Sequence, residues 1–215
     1  MNKLSVYGST GFIGSRYCSL FPDHVSIPRD QNEPETNDIL YLISTIHNYN
    51  VFDDIKLDVE TNLIKLLDVL NECRLKYDTD FTFNFISSWF VYGQTSELPA
   101  KETSPCNPKG FYSITKRAAE QLIISYCETF GIKYRIMRLC NVYGDYDKKS
   151  SKKRNALQHL IEEVVRGNDI NLYDHGENER DFLHINDICQ AIRLIIRSNS
   201  TVDTIINIGS GKPTK

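Results

Sequence analysis

What the 215-residue sequence lacks narrows the possibilities first. No two of its six cysteines, Cys18, Cys73, Cys106, Cys127, Cys140 and Cys189, form a C-x-x-C pair. That spacing argues against a metal site and leaves reduced thiols, mostly small core fillers. No apolar run approaches the ~20 residues needed to cross a bilayer, so no membrane contact is expected. The opening, MNKLSVYGSTGFIG, reaches glycine too early for the apolar core of a secretory leader, which makes the cytoplasm the expected location. Positive charge is not in surplus either: 25 Lys and Arg against 28 Asp and Glu leave a net charge of -3. Nothing there points to nucleic acid.

What is present is an ordinary soluble globular composition, 40% hydrophobic and 25% charged, in a chain long enough for a sizeable core. KLSVYG is a β-rich run followed by glycines and then by FIGSRYCSLF, which has helical apolar spacing. HVSIP, DILYLIST, FTFNFIS, IKYRIMRL and TIINIG read as further strands, apolar enough to be buried on both faces as parallel strands are. Between them, residues 57–76 and 113–130 carry apolar positions at helical spacing, with Gly131 as the C-cap of the second. Residues 154–167 and 185–198 read as two more helices, the last opened by Asn186 as N-cap. The order implies an α/β fold with a doubly wound parallel sheet, the Rossmann fold. There is no internal repeat, and DYDKKSSKKRN (145–155) reads as a mobile solvated loop.

In GSTGFIG, Gly8, Gly11 and Gly14 recur every third residue between a strand and a helix. Glycines there allow a tight turn and let the backbone approach a pyrophosphate, whose charge then meets the free N–H groups of the helix N-terminus. In such folds an acidic residue about 20 positions later holds the adenosine ribose. Here the second strand ends at Ile27 and is followed by Pro28, Arg29 and Asp30. An arginine receives a ribose 2′-phosphate, which favours NADP, while Asp30 keeps NAD open.

FYSITK places Tyr112 and Lys116 four positions apart. By spacing alone these are ordinary neighbours on one helix face. Taken in order, however, Gly8, Gly11 and Gly14, FISSWFVYG, Tyr112 with Lys116, RLCNVYG, RDFLHINDI and NIGSGKP resemble the extended short-chain dehydrogenase/reductases, in particular the NAD-dependent epimerase/dehydratase family of nucleotide-sugar enzymes. The resemblance runs from residue 4 to about residue 213. It implies Ser88, rather than Ser87, as the catalytic hydroxyl, Tyr112 as the acid/base group and Lys116 as its partner. It also implies a dinucleotide held by Gly8, Gly11, Phe12, Ile13, Gly14 and Ser44, with Tyr112 and Lys116 at its reactive end. Asn141 and Arg180 would contact the pyrophosphate of a nucleotide sugar, with Trp89 beside the sugar. The chemistry suits these types. A lysine ammonium favours the phenolate of a tyrosine whose usual pKa is near 10, and a guanidinium pairs with a diphosphate through charge-assisted hydrogen bonds.

The sequence also departs from the family. Dehydratases place an Asp-Glu pair directly after the catalytic hydroxyl, whereas here Trp89 and Phe90 follow it, which argues against 4,6-dehydration. These rings either wall the sugar pocket or simply pack. The segment after the second strand is short, with little room for the usual helix and strand, so an open adenine side is expected. Ser44 and Thr45 replace small residues beside the cofactor. The chain stops at Lys215, and the C-terminal substrate-binding part is expected to be small and truncated. The expected organisation is a dinucleotide-binding domain over 1–140 and a mixed substrate-binding region over 141–215.

Three functions stay open: an epimerase that oxidises and re-reduces a sugar carbon, an NADPH-dependent reductase of a nucleotide-linked keto sugar, and a non-catalytic dinucleotide-binding protein. A homodimer is expected through the helices at 57–75 and 113–130. Leu66, Leu70, Leu122 and Ile123 are candidates for its exposed apolar face unless they face the sheet.

Overall fold

The computed structural model describes residues 3–95, 97–144 and 156–215. The charged segment 145–155, expected as a solvated loop, lies outside them. Six strands form one sheet: β1 (Leu4–Tyr7), β2 (His24–Ile27), β3 (Asp38–Tyr41), β4 (Thr82–Ser88), β5 (Lys133–Leu139) and β8 (Thr204–Ile208), in the order β2-β1-β3-β4-β5-β8. Every pair is parallel. The strands are short, and β1, β3, β4 and β5 are buried almost throughout because helices cover both faces.

One face packs on α3 (Lys65–Tyr77) and α4 (Phe111–Phe130), joining Tyr41, Phe83 and Phe85 to Leu66, Leu70, Ala119 and Ile123. The other packs on α1 (Phe12–Leu20) and α6 (Ile185–Arg197), joining Val6, Leu40 and Met137 to Tyr17, Ile188 and Ile192. Burying each such side chain stabilises the fold by about 1.5–3 kcal/mol. This is the doubly wound α/β arrangement expected, and the C-terminal ends of its strands form the edge where ligands of such sheets bind.

The helix expected at 57–75 runs over 57–77, in three pieces. Its first turn, α2 (Leu57–Val59), widens into a π turn at Glu60–Ile64 before α3. That wide turn holds Asn62, a buried polar residue. Helix α4 begins at Phe111, two residues earlier than expected, so Tyr112 lies inside its first turn. It ends at Gly131 with φ +72° in the left-handed region, as expected. Beyond β5, the short strands β6 (Asn141–Tyr143), β7 (Arg180–His184) and β9 (Pro213–Thr214) make a second small sheet, and α5 (Ala156–Val165) lies between the first two.

Two expectations are corrected. The N-cap of α6 is His184, whose Nδ1 accepts the Asn186 backbone N–H at 3.3 Å, while Asn186 lies in the first turn and accepts a hydrogen bond from Arg16. Of the four residues proposed for an exposed apolar face, Leu66, Leu70 and Ile123 are fully buried against the sheet and only Leu122 is exposed. The outward apolar groove lies one position round the helices, lined by Leu67, Leu122, Tyr126 and Phe130. No helix among the described residues is long and apolar enough to cross a membrane. No cluster of metal-ligating side chains occurs among them either.

Candidate active site

The glycine turn leaves β1 with Gly8 at φ +80°, a conformation that L side chains rarely adopt. A Cβ on Gly14 would lie 2.1 Å from the Gly8 carbonyl oxygen, so only glycine lets α1 start this close to the strand. Gly11 is the N-cap and contributes no capping side chain. The first turn of α1, with Phe12, Ile13 and Gly14, therefore has no side-chain cap of its own. Such a cradle fits the pyrophosphate of a dinucleotide.

Arg29 and Asp30 lie just beyond β2 and are exposed. The segment 28–37 crosses directly to β3 with no intervening helix or strand, which makes β2 the edge of the sheet. It is tied down by the Tyr7 hydroxyl, which donates to Asn32 O at 2.5 Å, by Lys65 on Asn32 Oδ1, and by Lys76 on Pro34 O at 2.8 Å. Ser44 is engaged within the protein: its hydroxyl donates to Asn62 Oδ1 at 3.1 Å, next to the Thr45 N–H on the same oxygen at 2.9 Å.

At the end of β4, two adjacent serines part company. The Ser87 hydroxyl donates to Glu120 Oε1 at 2.6 Å, inside the core. Ser88 instead turns to the strand end, where it accepts the Phe90 N–H at 3.3 Å and lies beside Tyr112. Tyr112 is 8% exposed and Lys116 2%. Burial pushes the Tyr112 phenol up to about 12, the Ser88 hydroxyl works in the opposite direction, and the Asp58 carboxylate adds to the rise. Burial lowers Lys116 to about 7, opposed by Glu120. The Lys116 ammonium donates to Ile86 O at 2.6 Å and sits 4.0 Å over the Phe85 ring. Tyr112 is thus held as a phenol, ready to give a proton. A positive charge brought beside it would favour the phenolate.

An aromatic wall leads outward from it. The Phe90 ring meets Tyr112 edge to face at 5.9 Å, Trp89 leans on Phe90 at 4.4 Å, and the Arg180 guanidinium lies 5.8 Å over the Trp89 ring. Arg180 is not salt-bridged to Asp181. Asp181 instead accepts from the backbone and hydroxyl of Ser210 and from the Gly211 N–H. Asn141 pairs with Phe182 across β6 and β7 and donates its amide to Asp181 O at 3.1 Å, which spends one face of that side chain on the small sheet.

Sequence reasoning did not single out Asn48, Asp58, Asn62, Glu120 or Arg138, which are all buried or half-buried around this edge. The signal available was their position. Asp58 and Asn62 are one helical turn apart, and Glu120 continues the Tyr112–Lys116 row on the face that also carries Ala119 and Ile123.

The model of the NAD dependent epimerase/dehydratase family matches residues 45–209. A putative UDP-glucose 4-epimerase of Methanocaldococcus jannaschii is 27% identical over 82% of this chain and 56% of its own length. A dTDP-glucose 4,6-dehydratase of Mycobacterium tuberculosis is 28% identical over 75% of this chain and 48% of its own. The chain spans about half the length of these curated relatives. Among solved structures, a UDP-glucose 4-epimerase of Thermotoga maritima with UDP-glucose superposes with a TM-score of 0.86 at 22% identity, over 100% of this chain and 78% of that one.

Proposed function

This chain belongs to the NAD dependent epimerase/dehydratase family, and on that premise we propose that it is an NAD(P)-dependent nucleotide-sugar epimerase. A nicotinamide dinucleotide, when bound, supplies the acceptor and donor of hydride. The glycine turn and the first-turn N–H groups of α1 hold its pyrophosphate, and Arg29 or Asp30 meets its adenosine ribose. Tyr112 exchanges a proton at Oη with the hydroxyl of the reacting sugar carbon, Ser88 orients that oxygen, and Lys116 fixes the reactive end of the site. Between the two transfers the sugar, as a ketone, presents its other face. Asn141 and Arg180, from the substrate-binding region 141–215, hold the diphosphate, and Trp89 walls the sugar.

The observation that carries this reading is the buried row of Ser88, Tyr112 and Lys116 facing an aromatic pair, Trp89 and Phe90, where a dehydratase needs an acid and a base. With no ionisable group at 89 and 90, proton traffic is left to Tyr112, which suits oxidation and reduction of a carbinol but not loss of water. We place the enzyme in the cytoplasm as a homodimer closed over the groove of Leu67, Leu122, Tyr126 and Phe130.

A second reading, the reductase of a nucleotide-linked keto sugar, is favoured by Arg29 just beyond β2 and by the short crossing from β2 to β3. Native mass spectrometry with NAD and with NADP separates the two. A dinucleotide retained through purification on a dimer supports the epimerase, and uptake of added NADPH alone supports the reductase. In either case Tyr112→Phe is expected to abolish turnover of nucleotide sugars and leave dinucleotide affinity nearly unchanged. Full activity in that variant would overturn the assignment.

A further inference from the structure

Helix α4 begins without a capping side chain of its own. Its N-cap is Gly110, at φ +91°, and the first-turn donors of the helix have no acceptor in the preceding Asn-Pro-Lys. The acceptor comes from 65 positions away: Asn48 Oδ1 receives both the backbone N–H and the hydroxyl of Ser113, each at 3.1 Å. Gly110 provides the room, since a Cβ there would lie 2.5 Å from Asn48 Cγ.

The loop that carries Asn48 is itself anchored. Asn50 Nδ2 donates to His47 O at 3.0 Å and to Asp58 Oδ1 at 2.9 Å, and Thr45 is bound to both Asp58 and Asn62. Asn62 Nδ2 in turn donates to Thr115 Oγ1 at 2.9 Å. One polar network therefore grips α4 at residues 113 and 115, between Tyr112 and Lys116. A helix held only by its apolar face is free to fray by a turn or to rock about its axis. Fraying begins in the turn that carries Tyr112.

We propose that Asn48 is a positioning residue for Tyr112: by capping α4 from a distant loop it sets the height and rotation of the phenol against Ser88. The proposal rests on the reading of Tyr112 as the proton-transfer group. Asn48 acts through Ser113 and the start of α4.

The test uses the full chain and three variants. Asn48→Ala is expected to speed hydrogen exchange at the Ser113 amide roughly tenfold, while exchange over residues 119–127 stays as it was. With NAD and a panel of UDP-glucose, UDP-N-acetylglucosamine and dTDP-glucose, kcat is expected to fall by about tenfold or more, with KM and dinucleotide affinity within about twofold. Asn48→Asp keeps the acceptor and is expected to restore both exchange and kcat. An Asn48→Ala protein that loses only melting temperature, or whose Ser113 exchange does not change, overturns the proposal. Tyr112→Phe is run alongside. If it turns over normally, the function assigned above falls; if it is dead while Asn48→Ala keeps its full kcat, the positioning role falls. Should no sugar on the panel turn over, the Tyr112 ring resonances decide. Their displacement in Asn48→Ala and return in Asn48→Asp support the proposal, and unmoved resonances refute it.

Discussion

Glu120 receives two nitrogens of the Arg138 guanidinium, at 2.9 and 2.7 Å, in a place where neither side chain meets solvent. The same carboxylate accepts the Ser87 hydroxyl and is reached by Arg117. Helix α4 is thereby joined to β4 and β5 one turn beyond Lys116. Burial is the largest single influence and would raise Glu120, but the Arg138 hydrogen bonds and charge together with the hydrogen bonds from Ser87 and Arg117 outweigh it and hold the carboxyl below its ordinary value.

Removing one partner leaves the other buried and uncompensated. Glu120→Ala is expected to destabilise the fold by about 3–5 kcal/mol, measured by urea unfolding at neutral pH. Because the folded-state pKa of Glu120 is depressed, its contribution is full above the usual carboxylate range and is lost as pH falls through the folded value. The difference between wild type and variant should therefore shrink in acid. A difference that does not depend on pH would show that packing, not charge, holds this point.

Lys116 gives a slope of the same sign in a higher pH window. Its folded pKa, about 7, lies below the ordinary 10.5, so between those values the unfolded chain binds the extra proton and stability rises with pH. The penalty is fully present below pH 7. The urea midpoint should climb from pH 7 to 8.5, by up to about 1.4 kcal/mol per pH unit in free energy, relative to Lys116→Met measured beside it. Parallel pH dependences in the two proteins would contradict this.

Tyr41 lies in the core with its hydroxyl buried and without a hydrogen-bond partner. Its ring packs against Tyr7, Phe83 and Phe85. Tyr41→Phe keeps the rings and removes the unsatisfied oxygen, so a gain of about 1 kcal/mol is expected, seen in the melting temperature. A loss would mean that the hydroxyl finds a partner in solution.

Two glycines separate shape from strain. Gly14→Ala places a methyl 2.1 Å from Gly8 O and must open the cradle. Gly131→Ala meets no atom within 4 Å and costs only its left-handed backbone, about 1 kcal/mol. Calorimetric titration with NAD or NADP should show affinity lost in the first variant and kept in the second.

Much of this was legible because burial writes itself into composition. The run DILYLIST is apolar at five successive positions, since both faces of the sheet are covered, and the helix that ends at Gly131 stops where only a left-handed residue serves. Tyr112 and Lys116 were different. Their spacing fits any helix, and only the order of the surrounding motifs raised them above it. The small sheet was missed because strands of two to five mixed residues leave no periodic signal. Which candidates of α3 and α4 look outward was left open: Leu66, Leu70 and Ile123 fill the core while Leu67 and Leu122 look outward, a rotation of about 100° per residue that a hydrophobic count does not fix. Asn48, Asn62 and Asp58 were invisible for another reason. Their partners come from segments far away in the sequence.

The run of rings from Trp89 through Phe90 to Tyr112 has an optical consequence. Trp89 is the chain's only tryptophan, so all of its indole emission comes from one ring two side chains from the phenol and next to the Arg180 guanidinium. On the proposed reading, in which Trp89 walls the sugar, this one ring is also a lamp with a single filament. A nucleotide sugar held as proposed, beside Trp89 and Arg180, is expected to change its brightness.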